Sequence, residues 1–309
     1  MEQDGTYLLV SSCKDGNPML RDWRGDWVGT FVGHKGAVWQ TKLSNDSSRA
    51  LSGSADFTAK LWDTFTGSPL ASLPHEHIVR TVALGPGGTR ALTGGQEKKV
   101  RLWDLGRAGE SNGAATNGKP VGEPSFLKAA NSATAHEGTV KSVVWGSENL
   151  GVSAGDDGFV RWWDLRTLAS PIHMKLSEPP TSMELSVPTS TLTITHGKTV
   201  SFIPLEGPNS GPTHQVTLAH APSSASLHPL TGDRFVAGSV GDPWVRVYGL
   251  EDGAELEVYK GHHGPVHCVE YSPDGEMYAT GSEDGTIRLW QTVPGKSYGL
   301  WQGTMNGSG

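Results

Sequence analysis

The sequence is poor in cysteine: Cys13 and Cys268 are the only two in 309 residues, and they lie far apart. With no CxxC pair and no framework of spaced thiols, a disulfide-stapled domain and a Cys-ligated zinc module are excluded. A reducing compartment is the simplest setting, with each thiol a small buried hydrophobe. Long apolar runs are missing too. No segment approaches the ~18 apolar residues of a membrane helix, and the opening MEQDGTYLLVSS is acidic, with too short an apolar run for a signal peptide. The expectation is therefore a soluble protein of the cell interior. No sustained 3.6-residue apolar period occurs, so helix should be scarce. Basic residues are in deficit: 25 Lys and Arg against 32 Asp and Glu give a net charge of −7, which disfavours bulk attraction to nucleic acid or anionic lipid. Glycine turns such as GPGGT (85–89) lack the strand–loop–helix setting and the lysine of a phosphate loop.

What the chain does have is glycine, proline and tryptophan, at 41, 19 and 11 residues, and they fall in repeats. RALSGSADFTAKLW (49–62), RALTGGQEKKVRLW (90–103), LGVSAGDDGFVRWW (150–163) and MYATGSEDGTIRLW (277–290) align without a gap. Each follows a His-led segment: GHKGAVWQTKLS from Gly33, PHEHIVRTVAL from Pro74, AHEGTVKSVVW from Ala135 and GHHGPVHCVEYSPDG from Gly261. Within a copy, short alternating or apolar runs such as AVWQTKL and TIRLW read as strands. The Asp-Gly steps of SPDG and EDG between them read as hairpin turns.

Two weaker copies complete the register. One starts near Leu176 and has lost its His, Asp and Trp; the other starts at His220, keeps Asp242 and carries Tyr248 in place of Trp. Starts at 34, 75, 136, 176, 220 and 262 give intervals of 41, 61, 40, 44 and 42. Ahead of His34, residues 5–33 match the later part of a copy, with Ser11 and Asp15 in place and Arg21 where Trp would stand. The organisation read from this is a partial unit 5–33, then 34–74, 75–106, an insertion loop 107–133 expected to be mobile, 134–175, 176–219, 220–261 and 262–302, with a flexible tail 303–309. The first unit lacks an innermost strand, for which KSYGLWQ (296–302) is a candidate replacement.

Repeats of about 40 residues with these offsets resemble the WD40 family. The fold this implies is all-β: a seven-bladed propeller of four-stranded blades. The resemblance also implies a hydrogen-bonded chain within each blade, from Asp to His, His to Ser or Thr, and hydroxyl to indole N–H. The sets are His34–Ser52–Asp56–Trp62, His75–Thr93–Glu97–Trp103, His136–Ser153–Asp157–Trp163 and His262–Thr280–Asp284–Trp290. Glu97 in place of Asp predicts a looser geometry in the second set. Hydroxyl, imidazole and carboxylate together suggest a catalytic triad, but a triad needs one privileged copy, an exposed nucleophile and an oxyanion hole. Here the set recurs and Ser and Thr interchange, so it reads as a fastener, and the protein as no enzyme. His75 with His77, or His262 with His263 and His267, offer no metal geometry beyond sequence proximity, and neither a metal nor a cofactor is expected.

Function then falls to surface. By WD40 analogy, contact positions lie five after the His of each copy and one before the turn acid. These are Trp39, Arg80, Lys141 and His267, with Lys14, Gln96, Asp156 and Glu283. Trp39 is either a binding anchor or a side chain packed between blades.

The resemblance narrows further. GDWVGTFVGHKGAVW (25–39), LTGGQEKKVRLWDL (92–105), SASLHP (224–229) and YKGHHGPVHCVEYSPDGEMYATGSEDGTIRLWQTVPGKSYGLW (259–301) are similar to the serine/threonine kinase receptor-associated protein (unrip) family. That likeness implies a scaffold found in the cytoplasm, with the nucleus as a second compartment. It implies association with the SMN complex that loads Sm proteins onto spliceosomal small nuclear RNA, with Gemin and Sm-type partners, contact with a Unr-like RNA-binding protein, and RNA met only indirectly. No membrane or small-molecule substrate is implied. The alternatives are a propeller like subunit i of translation initiation factor three, which shares the GHxGAVW and GHxGPVHxV patterns, and a direct RNA binder using the Trp39/Arg80/Lys141 face.

Overall fold

A computed structural model describes residues 7–106, 119–120, 124–128, 134–211 and 213–293. Apart from one 3-10 turn at Pro86–Gly88, the regular structure among these residues is strand. The first sheet is β1 (Leu8–Ser11), β2 (Met19–Asp22) and β3 (Trp27–Thr30). The second is β4 (Val38–Leu43), β5 (Arg49–Ser54), β6 (Thr58–Asp63) and β7 (Pro69–Pro74), and the third opens with β8 (Val79–Leu84), β9 (Arg90–Gly95) and β10 (Val100–Asp104). A two-residue strand, β11 (Lys119–Pro120), lies parallel to β7, and β12 (Ser125–Leu127) completes the third sheet.

Three four-stranded meanders follow. They are β13 (Val140–Ser147) to β16 (Ala169–Lys175) through β14 (Leu150–Gly155) and β15 (Phe159–Asp164); β17 (Pro180–Ser186) to β20 (His214–Thr217) through β18 (Thr191–His196) and β19 (Thr199–Pro204); and β21 (Pro222–Leu227) to β24 (Glu255–Lys260) through β22 (Arg234–Ser239) and β23 (Trp244–Gly249). The last sheet is β25 (Val266–Tyr271), β26 (Met277–Ser282) and β27 (Ile287–Gln291).

The first strands pack one on the next around a ring, β4 on β8, then β13, β17, β21 and β25, with β1 against β4. This is a seven-bladed β-propeller. Apolar clusters fill the junctions between successive blades, as where Leu51, Leu61 and Leu73 of the second meet Val79, Val82 and Trp103 of the third. Alternation makes this possible: both faces of a blade are covered, so its strands are apolar on both sides with small residues where blades approach. Gly94 shows the fit, since a Cβ there would lie 2.7 Å from Val140 Cγ1.

Two expectations are corrected. The stretch 107–133, read as an insertion loop, supplies the outer strand of the third blade: Val100, Arg101 and Leu102 pair with Leu127, Phe126 and Ser125, and Leu127 is 1 % exposed. Three residues carry too little pattern to announce a strand. In the sixth blade the position of the repeat His belongs to buried Leu218, whose N–H bonds Lys198 O as His75 N–H bonds Phe57 O; His220 is exposed. KSYGLWQ and the tail 303–309 lie outside the described residues.

Candidate functional site: buried fasteners and the loop face

Three of the four sets assemble side by side in space. Trp62 Nε1–H donates to Ser52 Oγ at 2.8 Å, Ser52 to His34 Nε2 at 2.7 Å, and His34 Nδ1–H to Asp56 at 2.8 Å. In the fourth blade the same links are 2.8, 2.7 and 2.9 Å through Trp163, Ser153, His136 and Asp157; in the seventh they are 2.7, 2.8 and 3.1 Å through Trp290, Thr280, His262 and Asp284. The donor directions follow from the indole N–H, which can only donate. Each Asp also accepts a backbone N–H at the blade entrance, from Lys35, Glu137 and His263. Burial raises the carboxyls of Asp56 and Asp157, but the imidazole leads a set of hydrogen bonds that outweighs it and holds both well below the usual carboxylate range. Burial keeps His136 neutral by lowering its pKa, against the pull of Asp157. Ser52, Ser153 and Thr280 are at most 1 % exposed, so no substrate reaches the hydroxyl.

The third blade departs from the pattern. His75 still accepts from Thr93 at 2.8 Å, and Trp103 still donates to Thr93 at 2.9 Å, but His75 Nδ1–H donates to Leu73 O at 2.9 Å and makes no bond to Glu97. The longer Glu97 side chain reaches Arg101 Nε at 3.0 Å and the backbone N–H of Glu76 and His77. Burial, then the Arg101 charge, lowers the His75 pKa to about 4.

In the fifth blade the register places Leu176, Ile194 and Ile203 at the His, hydroxyl and Trp positions, all buried in one apolar cluster. In the sixth they are Leu218, Ala237 and Tyr248. The first blade has none of the network: Ser11 Oγ bonds Met19 O, Arg21 reaches Gly25 O, and Asp15 accepts from the Asn17 N–H.

One recurring partner escaped the sequence reading. Glu97–Arg101, Asp157–Arg161 and Asp242–Arg246 are buried or nearly buried ion pairs, each joining a turn acid to the Arg four residues on. The signal was present, since a basic residue follows the turn acid at that offset in every strong copy. A second missed feature is a charged layer on the innermost strands. Lys42 of β4 pairs with Glu270 of β25 at 2.9 Å. Glu184, at the same register on β17, accepts from Ser226 and is pushed up to about 8 by burial and by Glu270, against Lys42.

The loop candidates sort into engaged and free. Lys141 pairs with Asp156 at 3.2 Å, and His267 approaches Glu283 at 3.6 Å. Arg80 lies over the Trp39 ring at 4.3 Å, joining the second and third blades, and has no carboxylate partner among the described residues. Trp39 is 48 % exposed, so it both packs between blades and presents a ring. Lys14 and Gln96 are exposed. Beside them, Phe57, 43 % exposed, packs on His77 with ring centroids 5.2 Å apart. Phe57 and Lys98 have φ of 66° and 64° at the turn position that Gly158 and Gly285 occupy in the fourth and seventh blades. A side chain in that left-handed region costs about 1 kcal/mol that glycine avoids.

Comparison with known proteins agrees with this geometry. The WD domain, G-beta repeat pattern matches residues 25–63, 67–104, 129–164 and 253–291. The chain is 43% identical over 300 residues to the serine-threonine kinase receptor-associated protein of Gallus gallus, covering 96% of this chain and 79% of that protein. The Dictyostelium discoideum protein of the same name is 41% identical over 93% of this chain and 91% of its own length. "Eukaryotic translation initiation factor 3 subunit I" of Culex quinquefasciatus is 26% identical over 91% of this chain and 89% of its own. Among solved structures, the Cps50 (Swd1) β-propeller domain of Myceliophteria thermophila superposes with a TM-score of 0.78 at 16% identity, covering 93% of this chain and 94% of that domain.

Proposed function

The chain belongs to the serine-threonine kinase receptor-associated protein family of WD40 propellers, and from that we propose that it is a non-enzymatic adaptor of the SMN complex, working in spliceosomal snRNP assembly. Identity above 40 % along almost the whole chain carries this reading. Its chemistry is consistent with scaffolding: the hydroxyl–imidazole–carboxylate sets are sealed inside blades, so what the molecule offers is loop surface. Partners of SMN, Gemin and Sm type, and a Unr-like protein, would meet that surface in the cytoplasm or nucleus, with RNA held by the partners. The initiation-factor reading is not favoured, because those relatives stand at 26–27% identity.

The test is mass spectrometry of proteins captured from the protein's own cytosol by the tagged chain, beside a Trp39→Ala/Arg80→Ala variant. SMN- and Sm-type proteins captured by the first and lost from the second are the expected result. Their absence from both captures refutes the reading, and initiation-factor subunits in their place revive the alternative.

A further inference from the structure

We infer that the loop face of the first three blades is a docking surface for an acidic, extended segment of a protein partner, one that brings an aromatic or apolar side chain to Trp39 and Phe57. This deepens the adaptor reading and rests on it.

Charge is the first support. Lys14, Lys35, Arg80 and Lys98 lie on the loops at this end of the three blades, and none forms an ion pair among the described residues. Apart from exposed Asp15, the acids beside them are engaged. Asp56 accepts from His34, Lys35 N–H and Thr58; Glu97 is held by Arg101; Glu76 pairs with Lys99 at 3.1 Å. On the flanking fourth and seventh blades the corresponding positions are already engaged, Lys141 by Asp156 and His267 near Glu283. In a chain of net charge −7 this face thus carries four cations without ion pairs among the described residues, and it is complementary to carboxylates.

Continuity is the second. The turn of the first blade leans on the second: Val38 N–H bonds Cys13 O at 3.0 Å, and a Cβ on Gly16 would lie 3.1 Å from Gly36 O. The second meets the third through Trp39 on Arg80 and Phe57 on His77. The exposed aromatics of the second blade, Trp39 and Phe57, thus reach the third blade, and the first blade joins the second through Cys13 and Gly16.

The third is strain. Phe57 and Lys98 hold left-handed backbone where the equivalent turns of the same molecule use Gly158 and Gly285. Neither side chain is buried, and since Ser47, Leu168 and Ser190 also hold positive φ in other turns, the strain supports the site only together with the charge and the exposed aromatics. A phosphate backbone is a poorer fit, because Asp15 and Asp156 interrupt the cations before they form a continuous track.

The strain supplies the test. The full chain is titrated into a labelled glutamate-rich peptide with one central Phe, the same peptide with Lys for Glu, and labelled oligouridine, following anisotropy at two salt concentrations. The glutamate peptide should bind, more weakly at high salt, and Arg80→Gln should cost about tenfold in affinity. Phe57→Gly and Lys98→Gly should weaken binding while melting at or above the wild-type temperature, which separates contact from folding; Lys198→Gln, an exposed lysine of the fifth blade, should bind as wild type. Equal binding of the Lys peptide, tighter binding of oligouridine, or wild-type affinity in Phe57→Gly and Arg80→Gln would overturn the inference. Capture of SMN-type partners by a chain with no affinity for the glutamate peptide overturns this inference alone; loss of both removes the adaptor reading as well.

Discussion

Replacing Asp157 by Ala removes one carboxylate and strands several donors. His136 Nδ1–H at 2.9 Å, Arg161 Nη1 at 2.9 Å, and the backbone N–H groups of Glu137 and Phe159, each at 3.2 Å, all lose their acceptor. The imidazole is fully buried and the guanidinium side chain 12% exposed, so water replaces little of what is lost. Deleting one partner of a buried pair costs about 3–5 kcal/mol, most of it the penalty on the charge left behind. At ~2.1 cal/mol/K per residue the chain has an unfolding entropy near ~0.6 kcal/mol/K, so melting as one cooperative unit should move down by about 5–8 °C. Asp157→Asn keeps an acceptor for His136 but gives Arg161 no charge, and should fall between wild type and Ala. Calorimetry on the three proteins at pH 7 decides it. A D157A melt within about one degree of wild type would mean that the fasteners contribute nothing, and the structural reading of all the sets would fail with it.

The remaining predictions concern His75 and the outer strand of the third blade. The folded-state pKa of His75 is lowered to about 4, below the ~6.5 of an unfolded histidine; the unfolded chain therefore binds more protons, and this group's stabilisation, full above ~6.5, drains away as pH falls towards 4. An NMR titration of the His75 ring should have its midpoint near 4, and a midpoint near that of a free histidine would contradict the burial that causes the shift. Leu127→Ala should destabilise by about 2–4 kcal/mol in denaturant melts, because Leu127 is buried between Val100 and the fourth blade; an effect below ~0.5 kcal/mol would place 125–127 back in a loop.

What the sequence disclosed follows from what repetition can disclose. The four strong copies share spacing, so their turns, strands and buried polar sets were legible together, and the structure places His34, His136 and His262 on the expected partners. Legibility fails where one residue's length or one strand's pairing decides. Glu97 is a single methylene longer than Asp, enough to reach Arg101 and leave His75 to a backbone carbonyl. The Ser125–Leu127 strand is three residues in a Gly/Ala/Asn-rich stretch, and only its partner β10 gives it a register. His220 looked like a repeat histidine because spacing tolerates a two-residue slip, whereas burial does not: the site is filled by Leu218. The Trp39–Arg80 stack needed the third dimension, since the two residues lie on different blades.

The fifth blade shows why the polar sets are fasteners and where freedom to bind comes from. There the His, hydroxyl and Trp positions are Leu176, Ile194 and Ile203, a complete apolar replacement. The sixth blade is mixed: Leu218 and Ala237 stand at the His and hydroxyl positions, and the retained Asp242 is satisfied by Arg246 instead, as a buried polar group must be. A blade can therefore be held either way, and holding it does not dictate its loops. Where the polar set is kept, the turn acid is consumed inside the blade by His, by Arg four residues on, or by both. That withdraws negative charge from the loop face and leaves neighbouring lysines and Arg80 without local partners. The third blade takes this furthest: Glu97 turns inward to Arg101 while Lys98, next in sequence, is held outward in a left-handed turn. The same residues that close the blade thus set the charge of the surface above it, which is why the free cations gather over the second and third blades and not over the fourth, where Asp156 remains outside to neutralise Lys141.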